Sequence, residues 1–148
     1  AINRAFTQGN EVMIESFMDG KEVTCACYKI ENELHTLPLV EIISENEFFD
    51  YEAKYEGLSQ EICPAGVSDK IKLSVQSITK NIYTLLGLKG IVRVDYILVN
   101  NEPFVIEVNT APGMSAASLV PLMVSKQKDL ELESLFSDII EDAMKPVY

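Results

Sequence analysis

The stretch GIVRVDYILVNNEPFVIEVNTAPGMSAASLVPLM, Gly90 to Met123, decides how the chain is read. It divides into two strands joined by a short polar turn, then a Gly/Pro loop, then the start of a helix. Val92, Val94, Tyr96 and Leu98 alternate with Arg93, Asp95 and Ile97. Past Asn100 and Asn101, Phe104, Ile106 and Val108 alternate with Val105, Glu107 and Asn109. A period of two marks strands with one buried face. In an antiparallel pair, opposed residues point to the same side, and a slip of one residue exchanges the faces. If opposed positions sum to 202, Arg93 faces Asn109, Asp95 faces Glu107, and the seven apolar positions share the other side. A sum of 201, from a two-residue Asn100–Asn101 turn, sets Asp95 beside Ile106 and spoils both faces. An odd-length loop, Asn100 to Glu102 at minimum, is therefore expected. It gathers one guanidinium, two carboxylates and an amide on one surface. Such hard oxygen donors suit Mg²⁺, which shares its coordination with substrate phosphates. The competing reading is a solvated polar face with a cross-strand salt bridge.

The rest of the chain sets the frame. A length of 148 residues suits one domain with a substantial core. Hydrophobic content of 47% and charged content of 24% are those of a globular protein. The net charge of −11 and the lack of a basic cluster argue against a nucleic-acid surface. Three cysteines, an odd number, fit a reducing compartment better than a disulfide framework. Cys25 and Cys27 share one side of a strand, but with Cys63 and His35 they complete no zinc spacing. No signal peptide and no apolar run near the ~20 residues of a membrane span are found. The opening AINRAF, without Met, suggests a piece of a larger protein.

In order along the chain, Val12 to Phe17 reads as a strand carrying Glu15, followed by a turn at Asp19-Gly20. Glu22 to Ile30 is a second strand, turning at Glu31-Asn32-Glu33 into Leu34 to Ile43, where Pro38 marks an edge or a bulge. Residues 44–57, SENEFFDYEAKYEG, are polar and aromatic without a period. They read either as a lid or as a surface loop whose rings plug a satellite core. Gln60 to Pro64 is a short strand. Ser68 to Leu86 is the clearest helix, capped by Ser68 or Asp69 and ended by Gly87. Its apolar stripe is Ile71, Val75, Ile78, Ile82 and Leu85 or Leu86. A helix starts near Ser118 with Pro121 in its first turn. A last one spans Leu132 to Met144, with Leu132, Leu135, Phe136, Ile139, Ile140 and Ala143 on its apolar side. The order predicts an α+β fold, an antiparallel sheet with helices segregated to one face.

Four segments, GIVRVDYIL, FVIEVNTAPGMSAASLVPLM, EFFDYEAKY and ICPAG, resemble the C-terminal half of D-alanine–D-alanine ligases, members of the ATP-grasp superfamily. The likeness runs from about Val12 to Met144. E-x-N-T-x-P-G-M-[ST] and E-A-K-Y together are specific to these ligases, whereas R-x-D followed by E-x-N alone indicates only ATP-grasp. The resemblance implies a C-terminal ATP-grasp lobe, with residues 1–18 as the end of a central domain and hinge and 19–148 as the lobe, its lid loop at 44–57. It implies ATP-dependent joining of two D-alanines through a D-alanyl phosphate, for peptidoglycan precursors, in the cytoplasm. Asp95, Glu107 and Asn109 would hold two Mg²⁺ ions (or Mn²⁺), with Glu107 bridging. Arg93 would stabilise the transferring phosphate and the tetrahedral intermediate. The Gly113 N–H would serve the oxyanion, and Ser118 with the Leu119 N–H would take the second D-alanine's carboxylate. Glu15 and the Met18 backbone match adenine-binding positions, and Glu22 a ribose-binding one. Lys54 matches a residue that reaches the ATP phosphates, and Tyr55 one that latches the lid.

Departures from the pattern are few: Phe49 for a frequent Tyr, Ala117 for a frequent His, Ala111 for a common Ser. The N-terminal and central domains of the family have no counterpart in these residues, so the chain alone is expected to be inert and to bind nucleotide weakly. A homodimer is expected for the full-length enzyme, with no membrane or nucleic-acid partner. The rival readings are a D-alanine–D-lactate ligase, another ATP-grasp carboxylate–amine ligase, and a non-catalytic nucleotide-binding module.

Overall fold

The computed structural model describes residues 1–44 and 59–145. Its organising element is strand β1 (Lys21–Ile30), in which all six residues from Val23 to Tyr28 are buried. Unbroken burial along a strand means that both faces are covered. Five further strands complete one sheet among the described residues: β2 (Glu33–Thr36), β3 (Val40–Ser44), β4 (Ser59–Ile62), β5 (Ile91–Val99) and β6 (Glu102–Asn109). The order is β4-β3-β1-β5-β6, with β2 also on β1, and every pairing is antiparallel.

The strand expected from Leu34 to Ile43 is split at Pro38, which has no N–H to give to a ladder. Thr24 pairs with Val40 and Cys27 with Thr36, so Cys25 and Ala26 face the three residues Leu37, Pro38 and Leu39. That is the count of a bulge. The strand expected from Val12 to Phe17 is absent: residues 11–19 are irregular, with Met13, Ile14 and Phe17 exposed. A strand needs a neighbour to pair with, and the described residues supply none there. Gly20 closes this segment against β5. A Cβ on Gly20 would collide with the Leu98 carbonyl oxygen and lie 2.7 Å from Ile97 Cγ2, so only glycine fits.

The helices are α1 (Ile2–Ala5), α2 (Asp69–Leu85), α3 (Leu119–Ser125) and α4 (Leu132–Met144). Ser68 caps α2, its side chain accepting from the Ile71 N–H, and Gly87, at φ +59, turns the chain beyond it. Ile71, Val75, Ile78 and Ile82 face the sheet as the stripe predicts, but Leu85 and Leu86 are exposed. The stripe continues instead through Thr79 and Tyr83, both buried. Thr79 Oγ1 shares a hydrogen bond with the Tyr96 hydroxyl (2.7 Å), and Tyr83 donates to the Gly90 carbonyl (2.9 Å). In α4, Leu135 is fully inside, whereas Ile140 and Ala143 face outward.

The α+β class and the antiparallel sheet are as expected, but the helices do not share one face. Val23 and Cys25 of β1, with Val94, Tyr96 and Leu98 of β5, pack under Val75, Ile71, Ile78 and Ile82 of α2. The alternate residues Ala26 and Tyr28 pack on Val120, Met123 and Val124 of α3 and Leu135 of α4. The apolar character of both sides of β1 requires a helix layer on each. On the second face, this helix-packed cluster takes in β1 from Ala26 onward and, of the earlier positions there, only Val40 and Ile42 of β3. The polar residues of β5 lie beside it. No described helix is long and apolar enough to cross a membrane.

Candidate active site

The β5–β6 hairpin builds the site. Arg93 pairs with Asn109 and Asp95 with Glu107, the register expected. The odd-length loop is not there. The turn is Asn100-Asn101 alone, with φ of +52 and +68, and Val99 pairs with Glu102. Positive φ at both positions gives a two-residue turn whose twist matches the strands, and Asn tolerates that conformation. The surplus residue sits within the ladder. Pairing shifts between Asp95–Glu107 and Tyr96–Val105, which leaves Ile106 as a bulge. Beyond the bulge the faces of β6 exchange, so Phe104 opposes Ile97 and Pro103 opposes Leu98. Phe104 and Ile106 are accordingly half-exposed and do not join the core.

Asp95 is the centre of the cluster. Arg93 grips it through two parallel bonds, Nε to Oδ1 at 2.8 Å and a terminal guanidinium nitrogen to Oδ2 at 2.9 Å. Asn109 Nδ2 donates to Oδ2 at 2.9 Å. Thr24 Oγ1, reaching across from β1, donates to Oδ1 at 2.6 Å. Arg93 and Asp95 are mostly sheltered, their side chains 18% and 14% exposed. Burial alone would weaken the Arg93 charge. The Asp95 hydrogen bonds and the negative charges of Asp95, Glu107 and Glu22 override it, and its pKa rises above the ordinary value. Glu107 is exposed at the rim. Glu22 lies on the same face, opposite Ile97 on one side and Ile42 on the other. Glu61 extends the row at the sheet's far edge, opposite Ile42. Burial raises its pKa, and Arg93 pulls in the opposite direction.

The loop after β6 is pinned by Pro112, which is buried, and by Met114, which packs on the α3–α4 cluster. The Ser118 N–H donates to the Ser115 carbonyl at 2.8 Å, and the two hydroxyls lie 2.9 Å apart. A Cβ on Gly113 would stand 2.8 Å from Ser118 Oγ, so Gly113 and Ser118 are neighbours across the loop. Leu119 opens α3. The structure thus gathers Arg93, Asp95, Glu107, Asn109 and Glu22 on one face, and Gly113 with Ser118 in the loop that follows Asn109. Glu15 is exposed and Met18 half-buried on the irregular segment before Gly20. Phe49, Lys54 and Tyr55, on the segment expected to form a lid, lie outside the described residues. Thr24 escaped the sequence reading, although its two-residue spacing from Glu22 places both on one strand face.

Among the described residues, no group of three or more His, Cys, Asp or Glu is arranged to hold a metal alone. Two opposed carboxylates, Asp95 and Glu107, with the Asn109 amide beside them, nevertheless make a hard-oxygen donor set. That set fits Mg²⁺, which usually takes one or two carboxylates and completes its shell with water and substrate phosphate.

An antiparallel sheet with R-x-D and E-x-N on adjoining strands defines the C-terminal lobe of an ATP-grasp fold. A D-alanine–D-alanine ligase structure from Bacillus anthracis superposes with a TM-score of 0.78 at 31% identity, covering 97% of this chain and 46% of that one. The VanG D-Ala:D-Ser ligase from Enterococcus faecalis gives 0.69 at 31% identity, covering 84% and 36%. The D-alanine–D-alanine ligase of Parabacteroides distasonis is 47% identical over 146 residues, 98% of this chain and 44% of the relative. The model of the family described as D-ala D-ala ligase C-terminus matches residues 1–141, and the chain belongs to that family. It spans less than half the length of the relatives it matches.

Proposed function

We propose that this chain forms one wall of the active site of an ATP-dependent D-alanine–D-alanine ligase. The observation that carries the reading is the Arg93–Asp95–Asn109 cluster, formed in register opposite Glu107 on a sheet face beside the helix-packed core. The first D-alanine carboxylate attacks the γ-phosphate of ATP, releasing ADP and leaving a D-alanyl phosphate. The second D-alanine's amine then attacks the acyl carbon, and the tetrahedral adduct expels phosphate. Asp95, Glu107 and Asn109 would hold Mg²⁺ or Mn²⁺, which would supply the charge that lets one anion approach another. Arg93 neutralises developing charge on the transferring phosphoryl oxygens and on the adduct, where fixed charge acts most strongly. The Gly113 N–H donates to the adduct's oxyanion. Ser118 and the Leu119 N–H take the second carboxylate. Glu22 holds the ribose, and Glu15 with the Met18 backbone holds adenine. Lys54 and Tyr55 close over the phosphates and exclude water, which would hydrolyse the acyl phosphate.

The free thiols Cys25, Cys27 and Cys63 accord with work in the cytoplasm, where the dipeptide serves peptidoglycan precursors. The full-length protein acts as a homodimer without membrane or nucleic-acid partners. Relatives at 45–47% identity named for the dipeptide reaction favour D-alanine as second substrate over the D-serine of the VanG relative. The test is ADP release by the full-length protein with D-alanine, D-serine or D-lactate as second substrate. D-alanine is expected to give the highest kcat/KM, and Arg93→Lys to lower it by about 10²-fold, since an ammonium cannot reproduce the guanidinium fork. No ADP release with D-alanine, or a preference for another second substrate, overturns the assignment.

A further inference from the structure

We propose that Thr24 is a positioning residue of this site, its hydroxyl holding the Asp95 carboxylate in the orientation that meets the cation; the inference rests on the cation site proposed above. Thr24 is completely buried on β1, directly opposite Asp95 on β5. Its Oγ1 stands 2.6 Å from Asp95 Oδ1 and 3.2 Å from the Val94 carbonyl. One hydroxyl proton serves one short bond, and the carboxylate is the nearer and stronger acceptor.

The argument turns on what else each donor does. Asp95 accepts four hydrogen bonds: from Thr24, two from Arg93, and from Asn109. A carboxylate offers about four lone-pair sites, so Asp95 is saturated and a cation must displace a donor. Arg93 and Asn109 are the donors with work elsewhere, one toward phosphate and one toward the cation. Both stand beside Asp95 on the site's own hairpin. Thr24 stands behind Asp95, on the neighbouring central strand, and among the described residues its hydroxyl has no other partner than the Val94 carbonyl. When the other two turn away, Thr24 is what fixes the angle of the carboxylate. Outer-shell hydrogen bonds of this kind commonly set metal affinity.

The test compares Thr24→Ser, Thr24→Ala and Asp95→Asn in the full-length protein. Both Thr24 variants lose the methyl, so their difference isolates the hydroxyl. Mn²⁺ binding in the presence of ADP is followed by the electron paramagnetic resonance of the free ion, alongside melting temperature. Thr24→Ser is expected to bind Mn²⁺ within about twofold of the unmodified protein, and Thr24→Ala at least about tenfold more weakly. Equal affinities in the two Thr24 variants, with Asp95→Asn weakened, overturn the role of Thr24 while the cation site stands. Unchanged Mn²⁺ binding in Asp95→Asn overturns the cation site, and the role of Thr24 with it. A merely structural Thr24 would lower the melting temperature of Thr24→Ala and leave its Mn²⁺ affinity level with that of Thr24→Ser.

Discussion

Asp95 carries four hydrogen bonds on two oxygens, and Arg93, Asn109 and Thr24 share the work of keeping its charge sheltered. Three of these residues were legible from the sequence, because period-two alternation and one register decide which side chains of a hairpin meet. Thr24 was not, because its bond to Asp95 spans 71 positions and depends on how β1 lies against β5. Local pattern says which face a residue takes, but not which strand becomes its neighbour. The cysteines illustrate a different residue-scale rule. Cys25 is completely buried, and loss of solvation raises its thiol pKa from 9.0 to about 12. In the unfolded chain the thiol ionises from pH about 9, whereas the folded chain keeps its proton. Between those values the folded state binds more protons, so stability falls as pH rises. Chemical denaturation between pH 8 and 11 is expected to show this decline, to which Cys27, raised by burial to about 11, also contributes, and Cys25→Ala is expected to lessen it. An identical pH slope in that variant would remove Cys25 as the source.

At the scale of elements, α2 lies where spacing and capping residues placed it and α4 where spacing did, with small shifts in which residues face in. Their signals are local: an N-cap hydroxyl at Ser68, a glycine at φ +59 after α2, apolar residues three and four apart. The segment from Val12 to Phe17 has strand composition but no strand, since composition cannot provide a pairing partner. The β5–β6 connection is the instructive error. The face argument named the register at the site but rejected the two-residue Asn100-Asn101 turn to keep it; the bulge at Ile106 lets both stand. The turn can be tested by itself. Asn101 has φ +68, so Asn101→Ala places a Cβ in the left-handed region and is expected to destabilise by about 1 kcal/mol. Asn101→Gly should be neutral or slightly stabilising. Urea midpoints of the two variants decide it, and equal midpoints would contradict the strained geometry.

Across the whole molecule, two helix layers sandwich a sheet whose central strand is buried on both sides, and the polar cluster lies beside the helix-packed part of one face. Helices on both faces could not be read from a sequence that shows each helix as amphipathic without saying which side of the sheet it meets. Leu135, 1% exposed between α4 and β1, tests the second layer. Leu135→Ala is expected to cost ~2–5 kcal/mol in denaturant unfolding, while Leu85→Ala, 84% exposed, should change stability little. A cost under ~1 kcal/mol for Leu135→Ala would show that α4 does not seal that face. The bulge at Ile106 has one more consequence. It lies between the hairpin's tip and the Asp95–Glu107 pair, and so acts as a clutch between them. A change of phase at the tip can be absorbed before it reaches Asp95 and Glu107. A label or an epitope grafted at that tip is therefore expected to leave the orientation of Asp95 and Glu107 unchanged.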